Sequence, residues 1–316
     1  MIYLNSLKII RKNARLRREY LYKRSVQLEE RERLDRKIRV REALEKGLPL
    51  SDKDLEKEAM EKEYGFDHLF NLNDKQKKEI QLDNEYATAG ASDPKILLTS
   101  AHDPSDRMKR FLKEVKYLFP NCQQMNRGTQ QIKAVVEAAV QNGFTDLIML
   151  HESRGDPDTL VVCHLPYGPT AYFTMYNTVM RHEAVNMKTE KMPTIYPHLI
   201  FHNFKTKLGE RVATILKHLF PIPKKDSTRV VTFANDNDFI SFRHHVYKQE
   251  DKKVLLKEVG PRFELKLYQI KLGTIDQKDA EPEWVLRPYM NSHKAALGKS
   301  KEDLLDEENE KRHEIK

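Results

Sequence analysis

The stretch Asp238 to Lys248 reads "DFISFRHHVYK" and sets two adjacent histidines beside an arginine in a run of aromatic and branched residues. Imidazole both ligates metals and moves protons near neutral pH, so the pair raises two chemistries at once. In an extended strand successive side chains take opposite faces. Ile240, Phe242, His244 and Val246 would share one face, and Ser241, Arg243, His245 and Tyr247 the other. The two histidines are then poorly placed to share one ion. No carboxylate or cysteine stands at a ligand-like spacing nearby, and Asp236 and Asp238 read as turn or capping residues. No nucleophile accompanies the pair, so catalysis has no centre here. What remains is a face with Arg243, His245, Tyr247 and Lys248, side chains that stack on and hydrogen-bond to unpaired bases. A solvated strand with ordinary polar residues explains the same pattern, and both readings stand at this point.

Three further stretches need the same test. "GPT" at Gly168 and "GPR" at Gly260 lack the G-x-x-x-x-G-K-[ST] spacing and do not open helices, so their recurrence reads as a shared backbone turn. After the second, Arg262, Glu264, Lys266 and Tyr268 alternate with Phe263, Leu265, Leu267 and Ile270, giving a polar face and a core face. Its lysine and arginine extend the basic surface. "NRGTQQ" at 126 to 131 puts Arg127 and Gly128 at a helix entry, where backbone N–H groups hold phosphates; a cap needing a flexible residue explains Gly128 equally well. There is no GxSxG, HExxH or Walker sequence, so neither an enzyme nor a cofactor or metal site is expected.

The elements that position these residues come in an imperfect repeat. "DPKILLTS" (93 to 100) is echoed by "YPHLIFHNF" (196 to 204), each an apolar strand entered through a proline. A helix follows in both copies. Met108, Phe111, Leu112, Val115, Leu118 and Phe119 share one helical face, as do Val212, Ile215, Leu216, Leu219 and Phe220, and both helices are expected to stop at "LFP". "TLVVCHLPYGPTAYFTMYN" (159 to 177) is matched by "VLLKEVGPRFELKLYQI" (254 to 270), two strands joined through Gly-Pro. The first copy also holds a helix with Ile132, Val135, Val136, Ala139 and Val140 on one face, ahead of the strand "DLIMLHE" (146 to 152). The second copy has only Asn235 to Ser241 there. "DFISFRHHVYK" is thus expected to match "DLIMLHE", with a lost helix before it and sheet surface left free. The fold class is α/β, in two pseudo-symmetric halves of about 93–192 and 193–290.

Charge divides unevenly along the 316 residues. Residues 1 to 46 hold 15 Lys/Arg against 7 Asp/Glu, residues 51 to 90 hold 6 against 11, and the last 16 hold 4 against 7. The expected order is a basic helical arm over 1–50, an acidic linker over 51–92, the body over 93–290 and a loose charged tail over 291–316. From Arg11 to Lys46 there is neither Pro nor Gly, which reads as a long exposed helix. Its start carries Arg11, Lys12, Arg15, Arg17, Arg18, Lys23 and Arg24, a candidate arm for a polyanion or protein partner. A pI of about 9.1 suits a polyanion, and solubility alone accounts for it as well. Two cysteines exclude a Cys-rich zinc module and argue against a disulfide framework, and no apolar run matches a signal peptide or spanning helix. A soluble intracellular protein is expected.

Together "RKNARLRREYLYKRS" (11 to 25), "MNRG", "HLPYGPTAYFTMYN", "FANDNDFISFRHHVYK" and "EVGPRFELKLYQIKLGT" resemble the Brix-domain family of ribosome-assembly proteins, over about residues 11 to 290, and within it the U3 small nucleolar ribonucleoprotein branch. The resemblance implies two halves, each like the anticodon-binding domain of class II aminoacyl-tRNA synthetases. It implies a nucleolar component of the small-subunit processome that binds U3 snoRNA and pre-rRNA in support of 18S rRNA processing. It also implies two protein partners, an S4-like RNA-binding protein and a large acidic scaffold protein. The family's RNA-linked signature falls on roughly Phe233 to Gly273, with Arg243, His244, His245, Arg262 and Lys266. Residues 1 to 10 and the tail after about 290 lie outside the family pattern and inherit no role from it. A non-enzymatic RNA-binding assembly factor is the expectation, with a pure protein-interaction scaffold as its rival.

Overall fold

The computed structural model describes residues 10–28, 31, 85–86, 92–184, 191–224, 226–250, 253–288 and 297–298. The chain divides into two compact units, residues 1–88 and 89–316. In the first, helix α1 covers residues 10–28, a stretch rich in good helix formers. Leu21 and Tyr86 are buried, and Arg17 pairs with Glu85. Apart from Arg31, the continuation of this helix to Lys46 lies outside the described residues, as does all but residues 85, 86 and 92 of the expected acidic linker.

The second unit is a mixed α/β fold on a central sheet. Its strands are β1 (Ile96–Ser100), β2 (Cys122–Gln124), β3 (Asp146–Ser153), β4 (Asp156–His164), β5 (Thr170–Val179), β6 (His198–His202), β7 (Arg229–Asp236), β8 (Phe239–Glu250), β9 (Lys253–Glu258), β10 (Arg262–Lys271) and β11 (Pro282–Val285). Its helices are α2 (Asp106–Leu118), α3 (Ile132–Gln141) and α4 (Lys207–Lys217). The strand order is β2-β1-β3-β4-β5-β10-β8-β7-β6, with β11 added to β10 and β9 to β8.

Strand β1 lies parallel to both β2 and β3 and is buried along its whole length. Such a parallel centre needs cover on both faces. Helix α2 buries Met108, Phe111, Leu112, Val115 and Leu118, and its N-cap Ser105 accepts from the Met108 N–H. Helix α3 sets Val135, Val136 and Ala139 against Leu97, Leu147 and Cys163 on the other face. The inner aromatic seam runs through Phe233, Phe242 and Phe263, with ring centroids 5.3 and 4.5 Å apart, and Phe111 of α2 meets Phe263 edge-on at 6.1 Å.

Two expectations change. Helix α4 ends at Lys217, capped by His218, so Leu219 and Phe220 are buried in the turn after the helix instead of within it. The larger change concerns β8. It runs antiparallel to β7, which itself lies parallel beside β6, whereas "DLIMLHE" in β3 lies parallel beside β1. Only Asn237 and Asp238 join β7 to β8, both at positive φ (50° and 67°). A two-residue connection closes a hairpin, while a parallel return needs a crossover such as the one through α3. Strand β8 therefore stands one place further along the sheet than the sequence match puts it, beside β7 as β4 stands beside β3.

Strand β5 pairs antiparallel with β10 and joins the two parts of the sheet. The turns that lead into these strands share their backbone: Gly168 and Gly260 have φ of 89° and 70°, each before a cis proline. A Cβ on Gly168 would stand 2.5 Å from the Gly273 carbonyl oxygen, so this turn admits glycine for space as well as for φ.

Candidate nucleic-acid interface

Cross-strand partners share a face, so the ladder shows which side chains meet. Thr174 pairs with Lys266, Tyr176 and Ser241 with Glu264, and Thr232 with Arg243. The same parity runs back through Thr170 to Cys163 and Leu147, the face that α3 covers. Helix α3 packs over β1, β3 and β4, and among the described residues side chains of this face on β5, β10 and β8 are partly exposed. Tyr176 is 42% exposed there, and the Arg243 and Arg262 side chains 32% and 41%.

Arg243, His245, Tyr247, Arg262 and Lys266 thus share one surface. Arg243 lies along the sheet, with Nη1 donating to the Phe242 carbonyl at 2.9 Å and Nη2 3.9 Å from Glu264. Arg262 lies 3.4 Å from Glu258, and the same glutamate pulls the His245 pKa up while burial, the larger effect, holds it below its ordinary 6.5. The Tyr247 hydroxyl donates to the Ser227 carbonyl at 3.0 Å. Lys266 places Nζ 4.6 Å over the Phe239 ring, whose edge also meets Tyr176 at 5.5 Å. Lys248, expected on the face of Arg243, is exposed further along β8, where unbroken alternation turns it to the face of His244 and Val246 instead. The surface is mixed in charge and not uniformly basic, because pairing brings Glu258 and Glu264 among the cations.

The other expected residues lie elsewhere. Arg127 sits between β2 and α3, where its Nε donates to the Gln130 carbonyl at 2.8 Å, and the α3 N-cap Gln131 makes no side-chain cap bond. In the first unit Arg11, Lys12, Arg15, Arg18, Lys23 and Arg24 are exposed. Arg17 is turned to Glu85, and Arg15 to Glu19 at 2.7 Å, which raises the Arg15 pKa.

His244 points the opposite way from Arg243 and is fully buried. Its Nδ1 is 2.9 Å from the Gly260 carbonyl and its Nε2 accepts from Arg229 Nε at 2.8 Å. Desolvation, and then the Arg229 charge, depress its pKa from 6.5 to about 3. It is therefore a neutral structural group. Two features of the surface were missed in the sequence. Tyr172 and Tyr176 follow from period-two alternation in "TAYFTMYN", had it been applied to that strand; Phe239 needed the hairpin register. No cluster of three or more His, Cys, Asp or Glu side chains suited to a metal occurs among the described residues.

The face of β5, β10 and β8 thus interleaves cations, carboxylates and aromatic rings on an α/β body. The Brix domain matches residues 101–269. The chain belongs to the Brix-domain family. It is 49% identical over 286 residues to the U3 small nucleolar ribonucleoprotein protein IMP4 of Homo sapiens, covering 90% of this chain and 97% of that one. A Brix domain-containing protein of Caenorhabditis elegans is 50% identical over 286 residues, covering 90% and 94%. The imp4 protein of Schizosaccharomyces pombe is 45% identical over 291 residues, covering 92% and 99%. A solved structure of a probable ribosomal biogenesis protein from Aeropyrum pernix K1 has a TM-score of 0.43 at 15% identity, covering 61% of this chain and 99% of that one.

Proposed function

We propose that this protein is a non-enzymatic RNA-binding assembly factor of the small ribosomal subunit, acting within the nucleolar U3 ribonucleoprotein particle and contacting U3 snoRNA and pre-rRNA. The observation that carries the reading is near-half identity, over 90% or more of the chain, with relatives named as U3 small nucleolar ribonucleoprotein proteins. The accessible face of β5, β10 and β8 supports it, since Arg243, His245, Arg262 and Lys266 with Tyr176 offer phosphate pairing and base stacking together. In this reading Tyr247 and Arg127 extend the contact, and Lys248 adds a cation from the opposite face of β8. The exposed cations of α1 form a second contact with RNA, with an S4-like RNA-binding protein or with a large acidic scaffold protein. The body is two pseudo-symmetric halves, each like a class II synthetase anticodon-binding domain, and the order β1-β3-β4-β5 against β6-β7-β8-β10 supports that symmetry. The domain plan is the arm 1–50, linker 51–92, body 93–290 and tail 291–316.

The test is RNA affinity of Arg243→Ala with Arg262→Ala, measured by anisotropy on a U3 snoRNA fragment. Two lost cation contacts are expected to weaken binding at least about tenfold and to reduce the salt slope by about two. Unchanged affinity moves the site elsewhere.

A second reading, a protein-interaction scaffold, is favoured by β9. Val254, Leu255 and Leu256 are 59%, 47% and 61% exposed on a strand that, among the described residues, pairs only with β8. Such an apolar edge suits strand addition by a partner. Crosslinks from residues 233–273 to protein alone, in purified particles, would select it.

A further inference from the structure

We propose that the crevice at the N-terminus of α4 is a recognition slot for a bent leucyl-glycine segment, filled in this chain by its own Leu297 and Gly298. Leu297 is 1% exposed although it lies in a stretch of charged composition. Its N–H donates to Asp238 Oδ1 at 2.8 Å, in the β7–β8 turn. Its carbonyl accepts from the Thr206 N–H at 3.3 Å and from Thr206 Oγ1 at 3.2 Å. Thr206 is the α4 N-cap, and the same Oγ1 accepts from the Gly209 N–H at 3.0 Å. Leucine thus enters by its side chain while its main chain is read on both sides, as an added peptide is read in strand or turn recognition.

The fit demands glycine on both surfaces. A Cβ on Gly209 would collide with the Leu297 carbonyl oxygen. A Cβ on Gly298 would stand 2.7 and 2.8 Å from the Nδ2 atoms of Asn203 and Asn235. Those two amides are locked by reciprocal bonds, Asn203 Nδ2 to the Asn235 carbonyl at 3.1 Å and Asn235 Nδ2 to the Asn203 carbonyl at 3.0 Å, so they cannot simply swing aside. Asn235 is 4% exposed and its Oδ1 is buried without a donor among the described residues, leaving an acceptor in the slot wall. Two glycines 89 positions apart, each excluding a methyl at one junction, describe a specific seat and not a chance contact. The seat pins the end of β6, the β7–β8 turn and the start of α4 to one another.

The test is hydrogen exchange of the full chain, read at the Thr206 and Leu297 amides. Both are expected to be protected in the wild type. Leu297→Asp should speed Thr206 exchange at least about tenfold while the β7 ladder amides keep their rates. Gly298→Ala should act alike and, lying outside the body, serves if Leu297→Asp disturbs the ladder. The peptide HKAALGKS, added in trans to Leu297→Asp, should restore Thr206 protection; the same peptide with alanine for glycine should not. Wild-type Thr206 exchange in Gly298→Ala, or failure of the first peptide to slow it, overturns the proposal.

Discussion

At the scale of single residues the most demanding group is Arg229. It is 1% exposed, and its guanidinium reaches His244 Nε2, the Leu118 carbonyl at 2.7 Å, the Tyr117 carbonyl at 3.4 Å and the Ile195 carbonyl at 3.3 Å. All are neutral acceptors, and burial lowers its pKa only to about 10, so the cation persists. It caps the C-terminal carbonyls of α2 from a strand more than a hundred residues later. Arg229→Met should cost about 3 kcal/mol in urea unfolding, since several buried acceptors lose their donor at once. Arg229→Lys should not restore it, because a point cation cannot reach three directions as a fork does. A loss below about 1 kcal/mol in the methionine variant would show that water replaces the fork. His244 adds a pH dependence. Its folded pKa of about 3 lies below its ordinary 6.5, so the unfolded chain takes the proton first and stability falls as pH drops from 6.5 toward 3. One such group contributes at most about 1.4 kcal/mol per pH unit. His151, His218 and His245 are shifted the same way, each chiefly by burial. Urea midpoints should therefore decline between pH 7 and 5, with a shallower slope in His244→Gln; equal slopes would remove His244 from the account.

At the scale of elements, alternation was legible wherever one face of a strand is buried and the other is not. Phe263, Leu265 and Leu267 are buried as their spacing in β10 requires, and His244 separates from Arg243 for the same reason; Ile270, three positions on, is buried because a register shift between Leu267 and Gln269 exchanges the faces. The helical faces of α2 and α4 were legible too, although Val140, placed on the buried face of α3, is 41% exposed at the helix end. Strand neighbours were not legible, because period-two patterning fixes which face a residue takes and says nothing of which strand lies alongside. The hairpin at Asn237 and Asp238 held the missing information: two residues that tolerate positive φ, between two apolar runs, forbid a parallel return. Alternation gives the face that Tyr176 takes in β5, and the same gap hid its neighbours, since only the pairing of β5 with β10 sets it beside Glu264 on the candidate surface. Tyr176→Ala should weaken single-stranded RNA binding by about 1–3 kcal/mol, the range for one stacked base. Its thermal midpoint should move little, as the residue is 42% exposed; a large fall in midpoint with unchanged affinity would reassign the ring to packing against Phe239.

At the scale of the molecule, the sheet is continuous across the line where the sequence repeat divides. Residues from Arg262 to Lys271 pair with residues from Thr170 to Val179 along the whole of β5 and β10. Cutting between the repeats leaves each fragment with a ten-residue strand whose hydrogen bonds and apolar face have lost their cover. Fragments 92–192 and 193–298 should each aggregate when produced alone and should recover soluble, folded protein when refolded together, as judged by gel filtration and circular dichroism. A soluble, folded fragment 92–192 would mean that this seam is dispensable. The β5–β10 seam therefore governs how partners can be mapped at all. A deletion that removes one repeat and abolishes an interaction reports on an exposed edge as much as on a lost contact, so surface substitutions, and not truncations, are the informative probes of this chain.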